Sequence, residues 1–250
     1  MIAFVTGASA GFGKATAELF AAHGWDVVIT GRRKTRLEVL ERQLKEKFNI
    51  DVLTLAFDVR NPDEVKKAID SLPEKWKQID LLVNNAGLAA GLGPIHEGLL
   101  SDWEDMIDTN IKGLLYMTRS IAPMMVKNGK GHIINIGSIA GKEVYANGNV
   151  YCATKHAVDA LTKATRIDLV SHGIKVTQIA PGMAETEFSI VRFKGDDEKA
   201  KSVYKGLHPL TAQDIAETIW WVASRPAHVN INDIVIMPTA QANATTTIRK

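Results

Sequence analysis

The chain has 250 residues, 46% of them hydrophobic and 23% charged, enough for one large α/β domain or two small ones with a real core. Its formal net charge of +2 gives no general attraction to nucleic acid or to an anionic membrane. No apolar run approaches the ~18 residues of a membrane span, and a single cysteine, Cys152, excludes an internal disulfide and a cysteine-only metal site.

Met1 leads straight into Ile2-Ala3-Phe4-Val5 with no charged leader, so no secretory signal and a cytoplasmic protein are expected. Short β-branched runs then alternate with longer helical patterns. The candidate strands are Ile2–Val5, Val27–Thr30, Val52–Phe57, Leu81–Val83, His132–Ile136, Lys175–Ile179 and Ile234–Met237. They are almost continuously apolar, as strands covered on both faces must be. Between them, Phe12, Ala15, Thr16, Leu19 and Phe20 follow helical spacing. Asn61-Pro62 reads as a cap followed by proline at the first helical position. Ser101 with Glu104 reads as a capping box, and Thr211 with Asp214 as a looser one. The alternation predicts a Rossmann-type, doubly wound α/β fold: a seven-stranded, mostly parallel sheet with helices on both faces. No repeat or linker divides it, so residues 1–250 are expected to form one dinucleotide-binding domain. Residues 183–210 read as a mobile substrate loop above the sheet or as a short helix pair. The polar tail 240–250 reads as frayed or docked on a partner subunit, with fraying preferred.

Thr6-Gly7-Ala8-Ser9-Ala10-Gly11-Phe12-Gly13 joins the first strand to the first helix. Glycines there permit a tight turn and let backbone N–H groups meet a pyrophosphate at the helix N-terminus. The spacing is one residue off the common dinucleotide fingerprint, but the strand-before, helix-after context is the confirming one. The second strand ends in Thr30-Gly31-Arg32-Arg33, with no carboxylate to take the ribose hydroxyl of NAD. Arg32 and Arg33 suit the 2′-phosphate of NADP; the competing reading is that they merely open an exposed helix.

Three further pieces carry chemistry. Asn110 lies on the apolar stripe Trp103, Met106, Ile107, Ile111 and Leu114, where an amide must be hydrogen-bonded. Ser138 follows the fifth strand at its carboxyl end, where open α/β sheets bind ligands. Tyr151 and Lys155 stand one helical turn apart on one face.

These residues, with Asp58-Val59, Asn84-Asn85-Ala86-Gly87 and Pro181-Gly182 in this order, resemble the short-chain dehydrogenase/reductase family over almost the whole chain. The resemblance implies a proton-transfer pair in Tyr151 and Lys155, with Lys155 also on the nicotinamide ribose. It implies a substrate-oxygen contact from Ser138 and a water held by Asn110. Asp58 and Val59 would face the adenine, Asn85 the adenosine ribose, and Pro181, Gly182, Met183 and Thr186 the nicotinamide. An ammonium ~4 Å from the phenol, at an effective dielectric of ~20, would favour the phenolate by at most ~3 pKa units.

Within the family, four stretches are similar to bacterial NADP-dependent 3-hydroxy acid dehydrogenases. They are Asp108-Thr109-Asn110, Gly148-Asn149-Val150-Tyr151, the run from Val191 through Asp197, and the run from Pro226 through Asn232. That similarity implies oxidation of L-allo-threonine or L-serine. The substrate carboxylate would meet Arg192 or Lys194, unless the two bases only face Asp196 and Asp197. Family habit implies a homotetramer through the two long helices and the last strand, with Trp220-Trp221 either in that interface or packed on the sheet. The rival readings are a 3-oxoacyl carrier-protein reductase, against which Ile236-Met237-Pro238-Thr239 departs from the usual strand end, and a redox-inactive NADPH sensor.

Overall fold

Alternate residues of each strand face opposite sides, and the apolar runs of this chain therefore build two cores at once. In the computed structural model, which describes residues 1–250, Ala3, Val5, Val27, Ile29, Leu81 and Val83 face one core. Ile2, Phe4, Val28 and Leu82 face the other. The strands are β1 (Ile2–Val5), β2 (Asp26–Gly31), β3 (Val52–Ala56), β4 (Leu81–Asn84), β5 (Gly131–Ile136), β6 (Ile174–Pro181) and β7 (Asp233–Ile236). They pair in the order β3-β2-β1-β4-β5-β6-β7, and every pairing is parallel. The order reverses between β1 and β4, which opens a crevice at the carboxyl ends of those two strands.

Helices α1 (Gly11–Ala22), α2 (Lys34–Lys47) and α9 (Ala212–Ala223) cover the first core with Phe20, Leu37, Leu40, Leu44, Ile215 and Ile219. Each such side chain, fully buried, contributes about 1.5–3 kcal/mol relative to exposure. Trp220 packs inward against Phe20 and Trp25, whereas Trp221 is half-exposed under Arg225. Helices α3 (Pro62–Asp70) and α5 (Leu114–Asn128) cover the second core. There a polar link runs from Asn84 to Asn135 and Thr118, and from Asn135 to Thr162 on α6 (Asn149–Leu169). No helix is long and apolar enough to cross a membrane.

Some local expectations hold and others change. Asn61 caps α3 by accepting from the Asp63 and Glu64 N–H groups, and Thr211 with Asp214 forms a full reciprocal capping box on α9. Ser101 caps nothing: α4 (Leu100–Ile107) already includes it, and Leu99 is the cap. The stripe carrying Asn110 is not one regular helix, because α4 passes into a π-helical turn, Asp108–Gly113, before α5 begins. The excursion 183–210 is a pair of short helices, α7 (Phe188–Arg192) and α8 (Asp197–Ser202). The tail folds back on its own chain. Gln241 bridges Thr247, the Lys250 N–H donates to Gly206 O, and Arg249 donates to the carbonyls of Lys205 and Val203. Its polar residues thus satisfy loop carbonyls that fraying would leave to water.

His132 is buried in β5, with Nε2 2.8 Å from Thr177 Oγ1, and burial lowers its pKa from 6.5 to about 3, Lys175 adding to the effect. The unfolded chain takes up this proton below 6.5 while the folded chain refuses it until about 3. Its contribution to stability is therefore complete above pH 6.5 and lost as pH falls towards 3. The urea midpoint of His132→Gln is expected to fall less steeply with acid than that of the native chain; parallel slopes would point to another group.

Candidate active site

The glycine turn is pinned across the crevice. Thr6 Oγ1 accepts from the Asn85 and Ala86 N–H groups at 2.9 Å, and the Asn85 amide donates to Thr6 O at 2.8 Å and Gly7 O at 3.3 Å. Asn85 thus spends its amide on the turn while the residue itself lines the cleft. A Cβ on Gly13 would come within 2.5 Å of Gly7 O and of the Asn85 amide nitrogen, so only glycine lets α1 start this close. No side chain caps α1, and Gly11 and Phe12 at its first turn line a cleft of about 540 Å³. A dinucleotide phosphate group fits such a helix start.

Gly7, Ser9, Ala10, Arg32, Arg33, Asp58, Val59 and Asn85 line the same cleft at the β1–β3 end. Ser138, Tyr151, Lys155, Pro181, Gly182, Met183, Thr186 and Arg192 line it beyond β4. Ala8, Gly13 and Asn110 lie behind its wall and shape it without facing it. Arg33 donates through Nε and Nη2 to Ser9 Oγ (3.0 and 2.9 Å) and through Nη1 to Glu187 (2.8 Å). Arg36, one turn further along α2, donates to the same carboxylate at 2.7 and 2.9 Å. The Arg33 hydrogen bond, against slight burial and with help from Arg36, holds the Glu187 carboxyl below its ordinary value. Arg32 turns away from this group, towards Asp58 at 4.0 Å. Burial raises the Asp58 carboxyl, but hydrogen bonds from Arg60 outweigh it and leave the group below its usual range. Arg36 was legible as the i+3 neighbour of Arg33; Glu187, 154 residues from Arg33, was not.

At the other end, Ser138 follows β5, accepts from the Ala140 N–H at 3.1 Å and lines the cleft together with Tyr151. Lys155 Nζ donates to Ile136 O at 2.9 Å and lies 5.9 Å from the centre of the Tyr151 ring. A Cβ on Gly141 would stand 2.5 Å from Lys155 O, so this glycine lets the Ser138 loop close onto α6. Asn110 is 2% exposed and hydrogen-bonded throughout: Oδ1 accepts from the Leu88 N–H, and Nδ2 donates to Leu88 O and Thr154 Oγ1. Its side chain ties the loop after β4 to α6 at the foot of Tyr151.

The electrostatics reverse one expectation. Burial raises the Tyr151 phenol well above its ordinary value, Tyr145 adds to this, and Ser138 and Arg192 only partly offset it. Lys155 is desolvated as well: burial brings its own pKa down to about 8, and its ammonium points at Ile136 O. Desolvation of both groups outweighs their mutual attraction.

Arg192 reaches over the cleft from α7. Nε donates to Gly91 O at 3.2 Å, Nη2 donates to the Tyr145 hydroxyl at 3.0 Å, and the guanidinium carbon sits 5.6 Å from the Tyr151 ring centre. Lys194 is taken by Asp102 at 2.9 Å, and Asp196 caps α8, so the basic pair does not face Asp196 and Asp197. Tyr145 and Gln241 carried no warning in the sequence. Gln241 is buried and accepts from the Met183 N–H at 2.7 Å, which fixes the wall beside Gly182.

A doubly wound parallel sheet with a glycine turn at its switch point, and serine, tyrosine and lysine at the carboxyl edge, defines a dinucleotide-dependent oxidoreductase class. The short chain dehydrogenase family matches residues 1–197, and the chain belongs to it. It is 53% identical over 245 residues to the NADP-dependent 3-hydroxy acid dehydrogenase of Salmonella typhimurium, covering 98% of this chain and 97% of that protein. It is 46% identical to the serine 3-dehydrogenase of Agrobacterium fabrum, covering 96% and 94% of the two. Among solved structures, a serine dehydrogenase in its closed form with NADP⁺ superposes with a TM-score of 0.93 at 49% identity, over 100% of both chains.

Proposed function

We propose that the chain is an NADP-dependent oxidoreductase that interconverts small 3-hydroxy acids of the L-allo-threonine, L-serine and 3-hydroxypropionate type with their 3-oxo acids or semialdehydes. The observation that carries the substrate class is Arg192, a guanidinium held over Tyr151 with no carboxylate partner of its own. The similarity to 3-hydroxy acid and serine dehydrogenases supports the same reading. The nicotinamide, when bound, supplies or accepts the hydride. The chain's own residues manage orientation and the proton.

Tyr151 exchanges a proton with the substrate oxygen, for which a phenol that burial keeps protonated is suited in the direction of carbonyl reduction. Ser138, on the same stretch of the cleft wall, donates a hydrogen bond to the substrate oxygen and orients it. Lys155 binds the nicotinamide ribose hydroxyls and links Tyr151 to the β5 edge. Asn110 keeps the foot of Tyr151 in register and, by family resemblance, holds a water of the proton relay. At the far end Gly7, Ser9, Gly11 and Phe12 hold the pyrophosphate and Arg33 the 2′-phosphate. Pro181 through Thr186 back the nicotinamide, and Asp58 and Val59 flank the adenine. Arg192 pairs with the substrate carboxylate.

The whole chain acts as one domain with residues 183–210 as its substrate loop, in a cytoplasmic homotetramer packed through α5, α6 and β7. Exposed Leu115, Ile167 and Val235 on those elements support that assembly. A spectrophotometric NADP⁺ panel is expected to give turnover with L-allo-threonine, L-serine and 3-hydroxypropionate; a preference for a 3-hydroxyacyl thioester would replace this function with a carrier-protein reductase. In the same assay Arg192→Met is expected to raise KM for L-allo-threonine roughly 10- to 100-fold, the worth of a hydrogen-bonded charge, while sparing an uncharged secondary alcohol. Equal losses on both substrates would remove Arg192 from the carboxylate.

A further inference from the structure

We propose that Glu187 is an internal competitor for the 2′-phosphate of NADP and thereby a determinant of how strongly the protein prefers NADP to NAD. This rests on the NADP reading above and goes beyond it by assigning a residue that opposes the cofactor.

The two guanidinium groups placed to receive a phosphate already hold an anion. Arg33 Nη1 and both oxygens of Glu187 with Arg36 Nη1 make a two-arginine, one-carboxylate cluster, closed on its other side by Ser9 Oγ. Arg32 does not relieve it, because its guanidinium faces Asp58. A carboxylate between two guanidinium groups is the arrangement that a phosphate oxygen pair would adopt. A 2′-phosphate arriving with close to two negative charges cannot share these donors with Glu187 without like-charge repulsion, so it displaces the carboxylate. NAD has only a hydroxyl at that position and leaves Glu187 seated.

The position of Glu187 in the chain gives the competition a second consequence. Thr186, its neighbour, lies against Gly11 of the glycine turn, and Arg192 closes the same short helix over Tyr151. The residue that yields to the 2′-phosphate therefore stands at the root of the segment that carries the substrate's cation. Each ion pair is about half exposed, so each is individually weak and screened by salt.

The test is equilibrium binding to the full chain, followed by titration calorimetry, with NADP⁺, NAD⁺, 2′,5′-ADP and 5′-AMP, none of which requires turnover. Glu187→Gln keeps the shape and removes the charge. It is expected to tighten NADP⁺ and 2′,5′-ADP by roughly 3- to 10-fold, as befits two exposed pairs, and to leave NAD⁺ and 5′-AMP unchanged. The gain should shrink as sodium chloride is raised. Unchanged or weaker 2′,5′-ADP binding overturns the competition, the weaker result meaning that Glu187 braces the arginines for the phosphate. A tightening that extends equally to 5′-AMP also overturns it. If the native chain binds 2′,5′-ADP no better than 5′-AMP, the NADP reading itself fails and takes this proposal with it. If it does bind 2′,5′-ADP better and the variant matches it, only the role of Glu187 fails.

Discussion

Tyr151→Phe is expected to bind NADPH as the native chain does and to turn over roughly 10²- to 10⁴-fold more slowly, the usual worth of a positioned acid–base group. The substitution removes one hydroxyl and little else. The ring keeps its edge-on contact with Phe188 at 5.7 Å and its place beside Leu88, Met106 and Cys152, so the fold of this corner is preserved. What goes is the hydroxyl, the only group of the side chain able to move a proton. Fluorescence titration of NADPH and a steady-state kcat on the same preparation separate the two effects. A phenylalanine variant with near-native kcat would end this mechanism, whatever its cofactor affinity.

Removing the cations at the other end should do the reverse, changing affinity and not chemistry. The double variant Arg33→Gln, Arg36→Gln is expected to weaken NADPH by roughly 10- to 100-fold, as loss of charge-assisted bonds to a phosphate implies. NADH should be nearly unaffected and kcat at saturation preserved. Arg32→Gln alone should cost much less, because that guanidinium faces Asp58 and stands apart from the Ser9–Arg33 group. Sequence reasoning paired Arg32 with Arg33 as neighbours at a strand end. The structure pairs Arg33, the N-cap of α2, with Arg36 in its first turn, because both reach the Glu187 carboxylate while Arg32 faces Asp58. Equal weakening of NADPH and NADH would withdraw the assignment.

The parts of the molecule that were readable from the residues are those whose physics is local. Seven apolar runs became seven strands within one or two residues of their expected ends, the inner five because a strand buried on both faces has few other ways to hide Val, Ile and Leu. The glycine turn, Ser138 and the Tyr151–Lys155 pair gather at one edge of the sheet because parallel topology sends every strand's carboxyl end to the same side. Other features depend on partners far away in sequence. The π-helical turn under Asn110 meets the loop after β3, where a Cβ on Gly113 would lie 2.8 Å from Val59, a constraint that no periodicity encodes. Burial raises the Tyr151 phenol where the spacing from Lys155 pointed to a lowering, since spacing on a helix says nothing about desolvation. The Thr-rich tail has the composition of a frayed segment, and only the carbonyls of Val203, Lys205 and Gly206 waiting beneath it make it ordered.

That tail makes the excursion at 183–210 a ring. Gln241 grips its start at Met183, while Arg249 and Lys250 grip its return at Val203 through Gly206. A loop pinned at both shoulders has already lost most of its end-to-end freedom, so further closure over a ligand carries a small entropic cost. Residues of the chain's last turn therefore help fix where Arg192 stands over the cleft.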